Sequence, residues 1–417
     1  MKALVGTSVF SLGINAVWIA YNSVILPYWL KPLVPANVYP LTIGIVEAVG
    51  ISIALMVNII VGIISDHFTT KRFGHRAPIM FIGSLLTAPF LLLGVFLPIT
   101  LPLAATIFIG MQFFTNVSAA AFQPTLADFV PENQRGISAG LKGLFILVGA
   151  VIGGGAIGPL LGAHLYGVAY IMLAVVFILG TIANVVAMRP YDKTNMAMTP
   201  IHLVKAIRDM FRLQKVPGGF YWFVLGSFLI YMGLSSFQAD ALVYLETVLH
   251  YSPDQAVTAF GIFGGVSIVV SIFFAVLAGY ISDRIGRRNL IIGTTIASAI
   301  FSLLFPFIPQ LGLLLPALTG FGVFLIVAAL YSASIAMVQS VDTALTSDLV
   351  PQEAAGKYMG YANLAQGTAG AVAPLLFGII LNLHGAASVQ SFTAFFIVTA
   401  SFFVISIFIM ALKVANK

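Results

Sequence analysis

Twelve apolar runs, each reaching the roughly 20 residues needed to cross a bilayer, make up most of the chain. They fall near residues 5–29, 40–64, 77–99, 102–127, 136–162, 166–188, 219–246, 256–281, 289–308, 312–347, 354–382 and 389–412. Each predicts a membrane-spanning helix, and the even count puts both termini on one side. The tenth run is overlong, so it either tilts or begins as a loop. The first run follows a basic residue, as a signal peptide would. It continues to about Trp29, well beyond a signal core, which predicts an uncleaved first span.

The polar punctuation between the runs repeats. Gly62–Arg76 reads GIISDHFTTKRFGHR and Gly279–Arg288 reads GYISDRIGRR, each between two apolar runs, with Asp66 and Asp283 217 positions apart. Ala127-Asp128-Phe129-Val130-Pro131-Glu132 returns as Ser347-Asp348-Leu349-Val350-Pro351-Gln352 at offset 220, and Gly158-Pro159-Leu160-Leu161 as Ala373-Pro374-Leu375-Leu376 at offset 215. Three landmarks in the same order predict a duplicated, all-α membrane protein: 12 transmembrane helices in two pseudo-symmetric six-helix bundles, residues 1–188 and 219–417. Residues 189–218 form the linker between them. Within it, Thr199-Pro200 starts a helix on which Lys205, Arg208, Arg212 and Lys215 oppose Val204, Ile207 and Phe211. This reads as an amphipathic helix on the anionic inner leaflet, or as a solvated bridge between the halves.

Composition fixes the solvent. Sixty per cent of the 417 residues are hydrophobic, only 8% are charged and the mean hydropathy is +1.06. A soluble domain carries about 25% charged residues, so the surface must face lipid. The net charge of +6 does not imply a nucleic-acid partner, because 18 of the 19 Lys and Arg residues fall on the side of the termini and only Lys31 on the other. That asymmetry predicts a multi-pass protein of the plasma membrane with both termini cytoplasmic. The chain has no cysteine and its six His residues lack ligand spacing, so neither a metal nor any other cofactor is expected.

The two loop stretches resemble the motif between helices 2–3 and 8–9 of the major facilitator superfamily, and ADFVPENQRG resembles that family's helix 4–5 junction. The resemblance spans the whole chain and implies the major facilitator fold working by alternating access. His67 and His75 stand where the family often has Arg. A narrower resemblance, to sugar–cation symporters of the sucrose-transporter and glycoside–pentoside–hexuronide type, rests on the long first loop ending Lys71-Arg72-Phe73-Gly74-His75-Arg76-Ala77-Pro78 and on Tyr21-Asn22…Pro27.

The resemblance implies a solute site lined by helices 1, 4, 7 and 10, and those runs carry polar stripes. Trp18 and Asn22 share a face of the first, with Asn15. Gln112, Asn116 and Gln123 share a face of the fourth, and Gln339 continues that pattern on the tenth, with Ser332 and Thr343. Tyr231 and Gln238 share a face of the seventh, with Ser235. Amides, hydroxyls and aromatic faces suit a polyol, although interhelical hydrogen bonds explain the same residues. Carboxylates inside spans are costly. Asp240, then Glu47 and Asp342, are the candidates for carrying a coupling proton. Asp240 stands about 200° round an ideal helix from Gln238, so both face one cavity only if the helix is distorted there. Asp342 has a second reading as part of an ion network at the cytoplasmic end. Lys142 is a potential partner for it or for Asp128.

Asp66, Arg72, Gly74, Arg76, Asp128 and Arg135 in the first half, and Asp283, Arg284, Gly286, Arg287, Arg288 and Asp348 in the second, form the expected gating set. Their ion pairs would close the cytoplasmic face; a topology signal without a gating role is the alternative. Gly136-Ile-Ser138-Ala-Gly140 and Gly153-Gly-Gly155-Ala-Ile-Gly158 match hydrolase and dinucleotide motifs but lie in apolar runs and follow no strand, so no enzyme is expected. Asn116-Val-Ser118 matches a glycosylation site at mid-bilayer depth. Gly154-x-x-x-Gly158-Pro159-x-x-Gly162 resembles the superfamily's antiporter motif, or marks a kink with close packing. Nothing from Leu101 to Asp128 is basic, unlike proton-driven exporters. The expectation is therefore a monomeric proton-coupled symporter of a sugar or similar small solute surrounded by membrane lipids, with a proton-coupled exporter of a drug or metabolite as the alternative.

Overall fold

A computed structural model describes residues 5–6, 8–68, 70, 74–130, 134–189, 208, 219–314, 318–349, 355–383 and 387–414. They form twelve long helices. In order these are α1 (Phe10–Ala20, a π-turn Tyr21–Ile25, then Leu26–Leu30), α2 (Tyr39–His67), α3 (Ala77–Phe96), α4 (Leu101–Phe122), α5 (Arg135–Ala150, a π-turn Val151–Ala156, then Ile157–Gly162) and α6 (Tyr166–Met188). The second series is α7 (Phe220–Val248), α8 (Pro253–Ile285), α9 (Arg287–Leu304, a 3₁₀ turn Phe305–Phe307, then Ile308–Leu314), α10 (Gly320–Leu349), α11 (Ala355–Asn382) and α12 (Val389–Lys413). Eleven are long and apolar enough to cross a membrane, and α7 makes twelve when its two parts, bent by 46° between Ser235 and Asp240, count as one. A lipid environment dictates this economy, because every backbone group must be satisfied within its own segment. Among the described residues the sole β pairing is an isolated bridge, Thr70 to Gly74.

Helix ends follow local chemistry. Ser252 and Gln255 form a capping box at the start of α8, and the Ser388 side chain accepts from Ser391 N at the start of α12. The overlong tenth run is divided: Ile308–Leu314 continues α9, and α10 begins at Gly320. Thr319 Oγ1 accepts from Gly322 N at 3.1 Å, capping α10.

The chain groups into two compact units, Met1–Leu33 with Val49–Arg212, and Val34–Ala48 with Leu213–Lys417. In the first, α1 packs on α5 and α6, and α3 on α4 and α6. In the second the same pattern recurs with each number raised by six: α7 packs on α11 and α12, and α9 on α10 and α12. One buried hydrogen bond repeats with it. Ser84 and Ser118 hydroxyls meet at 3.0 Å in the first unit, and Ser298 and Ser334, at offsets 214 (84 to 298) and 216 (118 to 334), meet at 2.8 Å in the second. The first part of α2 falls in the second unit because glycines let it approach α11. A Cβ on Gly44 would lie 2.3 Å from Pro374 O, and one on Gly378 2.7 Å from Pro40 O.

Candidate solute and coupling sites

In the first unit the polar stripes of α1 and α4 meet. Gln112 Nε2 donates to Asn22 Oδ1 at 3.1 Å. Asn116 Nδ2 donates to Gln112 O at 2.7 Å and lies 3.4 Å from Gln112 Oε1. Asn58, on α2, donates from Nδ2 to Asn116 Oδ1 at 2.5 Å and accepts from Gln123 Nε2 at 3.4 Å. Five carboxamides therefore form one hydrogen-bonded ladder. Its span along α4, from Gln112 to Gln123, is about 16 Å at 1.5 Å per residue. Gln112 and Asn116 are buried, Asn22 and Asn58 half-buried and Gln123 exposed. Asn22 sits in the π-turn of α1, where the helix widens by one residue per turn. Half-buried Trp18 donates from Nε1 to Thr115 Oγ1 at 3.3 Å, one residue from the ladder on α4.

In the second unit the three acids differ in their surroundings. Asp342 Oδ1 accepts from the Ser227 hydroxyl at 2.8 Å. It is thus held by an α7 hydroxyl. Glu47 and Asp240 are each 2% exposed, and Glu47 Oε1 and Asp240 Oδ2 find no hydrogen-bond partner among the described residues. The two are near enough to sense each other's charge. The bend in α7 falls between Ser235 and Asp240, where an ideal helix would set Gln238 and Asp240 on opposite faces. The side chain of Gln238 lies outside the described residues. Gln339 is exposed on α10, and its neighbour Ser332 donates to Ser267 Oγ on α8 at 3.1 Å.

The loop ends form two different networks. In the first unit the buried Arg76 guanidinium gathers three groups: Asp66 Oδ1 at 2.6 Å, Asp128 Oδ2 at 2.9 Å and the Ser65 hydroxyl at 2.8 Å. His75 Nε2 stands 3.7 Å from Asp128 Oδ2. Burial works against ionisation of Asp128, but the His75 side chain and the Arg76 charge outweigh it and hold the carboxyl below its ordinary range. Gly74, at φ 74°, supplies the left-handed turn that brings Arg76 back. In the second unit two of the arginines reach main-chain carbonyls of neighbouring helices. Arg287 donates to Ala344 O at 3.0 Å near the end of α10, and Arg288 to Met410 O at 2.9 Å and to Ala411 O near the end of α12. Arg284 contacts the hydroxyl and ring of Tyr280. Gly286 turns the chain at φ 87°, and exposed Asp283 has no ion pair among the described residues. Arg72 and the side chains of Arg135 and Asp348 lie outside the described residues, as does the linker helix apart from Arg208. Lys142 lies over the Phe122 ring at 5.0 Å, with no ion pair to Asp128 among the described residues.

A family model described as Major Facilitator Superfamily matches residues 3–374 and 269–417. The chain belongs to the Major Facilitator Superfamily. This superfamily member has a transporter fold. It is similar to the crystal structure of a peptide transporter, POT (TM-score 0.73, 13% identity, covering 98% of this chain and 94% of that one). It is also similar to a nucleoside transporter, NupG (0.71, 12%, 98% and 99%), and to a D-xylose–proton symporter (0.69, 17%, 100% and 97%). At these identities the likeness shows the fold alone. No curated protein matches the sequence significantly.

Sequence reasoning about this superfamily member missed Asn58, Thr115, Ser227 and Ser65. Asn58 is the lone amide within the second apolar run, a polar residue in lipid surroundings and so a signal that was there to be read. Asn116 and Ser118, which match a glycosylation site, are both buried.

Proposed function

We propose that this transporter is a proton-coupled symporter importing a sugar or similar small polar solute, exposing its solute site alternately to the two faces of the membrane. The amide ladder carries the reading. Carboxamides offer both donors and acceptors, as hydroxyl-rich solutes require, and Trp18 adds an aromatic face beside them. Tyr231, Gln238 and Gln339 are the proposed solute-binding residues of the second unit.

Glu47 and Asp240 support proton coupling. A buried carboxylate with an unpaired oxygen is costly unless a cation, here H⁺, neutralises it. Asp342, which accepts from the Ser227 hydroxyl, is the third candidate. A D-xylose–proton symporter among the similar folds fits the same reading. The distribution of basic residues supports a plasma-membrane location with cytoplasmic termini. The Asp66–Arg76–Asp128 cluster and its counterpart around Asp283 to Arg288 are then the proposed cytoplasmic gates. The antiporter reading of Gly154, Gly158 and Gly162 is weakened because nothing from Leu101 to Asp128 is basic, unlike proton-driven exporters.

Proteoliposomes under an inward proton gradient test the assignment. Net accumulation of one of a panel of sugars is expected; net export of a hydrophobic cation under the same gradient would assign antiport instead. Asp240→Asn is expected to abolish accumulation while keeping solute exchange, and a variant that still accumulates removes Asp240 from coupling.

A further inference from the structure

The ladder has a direction. A main-chain carbonyl can only accept, so it fixes which end of a neighbouring carboxamide is the NH₂. Two such carbonyls pin the ladder. Ala54 O accepts from Asn58 Nδ2 at 3.2 Å, and Gln112 O accepts from Asn116 Nδ2 at 2.7 Å. With Asn58 and Asn116 fixed, every link points the same way: Gln123 donates to Asn58, Asn58 to Asn116, Asn116 towards Gln112, and Gln112 to Asn22. Aligned amides polarise one another, which strengthens the last donor in the series. That donor is the Asn22 NH₂. Its oxygen is taken by Gln112, its nitrogen has no partner among the described residues, and it is half-buried in the α1 π-turn.

We propose that the Asn22 NH₂ is the recognition point for an acceptor oxygen of the solute (a hydroxyl, ring or carbonyl oxygen) and that Asn58 is the positioning residue that fixes this donor polarity. The proposal rests on the transport reading above and narrows it: the group bound at this point gives lone pairs and not a proton. Asn58 itself touches no solute. By donating to Asn116 Oδ1 it reinforces the orientation that the Gln112 main-chain carbonyl gives Asn116, which leaves the Gln112 NH₂ facing Asn22.

Purified protein is titrated with pentoses and hexoses and with the monodeoxy and monofluoro analogues of any that raise its unfolding temperature. Fluorine keeps an acceptor where deoxygenation removes it. At one ring position the fluoro analogue is expected to bind and the deoxy analogue to lose about tenfold, the size of one hydrogen bond. Asn58→Asp, which cannot donate to Asn116, is expected to lose about tenfold for the parent sugar and to erase the fluoro–deoxy difference. A merely structural role would lower the unfolding temperature and leave that difference intact. If Asn58→Asp does not fold, Asn22→Asp carries the test: it replaces the terminal donors by acceptors and is expected to favour the amino over the hydroxyl analogue at that position. Equal binding of fluoro and deoxy analogues everywhere, or wild-type selectivity in Asn22→Asp, overturns the proposal. If no sugar binds, the sugar reading fails by itself. The ladder is then judged with nucleosides and dipeptides, where Asn22→Asp is still expected to cost about tenfold for whichever solute binds, and unchanged affinity overturns it.

Discussion

Arg76 is 5% exposed, yet its two carboxylate partners are not equally sheltered: the Asp66 side chain is 55% exposed and that of Asp128 30%. Water screens the first pair more than the second. Asp128→Asn is therefore expected to cost about 2 kcal/mol in unfolding measurements, and Asp66→Asn under about 1 kcal/mol. The Asp128 contribution also has a pH signature. Its folded-state carboxyl titrates below the ordinary value of 3.8. The stabilisation is thus complete above about pH 4 and is lost as the pH falls further, through the folded value. The wild type and Asp128→Asn should converge in unfolding temperature on acidification below that point; a gap that persists there removes the ion pair as its cause. At this scale residue type was readable and partner was not. The motif pointed to Asp66, Arg76 and Asp128 together, since Gly and basic residues after a Ser-Asp imply a turn and a pair. It did not show that Arg287 and Arg288 take main-chain carbonyls, because a helix end offers an acceptor that no side-chain pattern marks.

Helices meet in lipid by close approach of small residues, with no hydrophobic drive between them. In α5 that principle separates glycines that look alike in sequence. Gly149 and Gly153, one turn apart, press against the main chain of α1, whereas a Cβ on Gly143 would meet nothing within 4 Å. Gly153→Val is expected to lower stability by about 1–3 kcal/mol through overpacking. Gly143→Ala should be neutral or stabilise by about 0.5–1 kcal/mol, the difference in helix propensity. Thermal unfolding of the two variants in one detergent checks this, and equal losses would show that α5 does not seat on α1 through that stripe. Hydropathy located all twelve helices because span length follows bilayer thickness. It misplaced the α9–α10 boundary because apolar character runs straight through it. The break is marked by Pro316, Gly320 and the cap at Thr319, signals of backbone conformation and hydrogen bonding and not of hydrophobicity. The two π-turns left no trace that periodicity could register. The bend in α7 was approached from the sequence only as a condition, through the angular conflict between Gln238 and Asp240.

At the scale of the whole chain, duplication is what makes topology predictable. Six spans, α3 to α8, separate the Asp66 loop from the Asp283 loop, so both loops emerge on one face of the membrane whatever the orientation. The placement of 18 of 19 basic residues on that face supports the proposed cytoplasmic orientation of that face. The chain has no cysteine, so single substitutions report without background. Gln134→Cys between α4 and α5 and Asn289→Cys at the start of α9 both replace exposed residues on the loop face, and Leu97→Cys, 44% exposed in the wild type, lies between α3 and α4. In intact cells a membrane-impermeant thiol reagent is expected to label Leu97→Cys and to spare the other two until the membrane is opened. Labelling of all three would mean that the reagent crosses or the protein inserts both ways. Labelling of Gln134→Cys and Asn289→Cys alone would invert the orientation, turning the Arg76 cluster into an outer gate. Labelling of only one of that pair would overturn the twelve-span topology, because four spans, α5 to α8, separate the two sites and an even number puts both on one face.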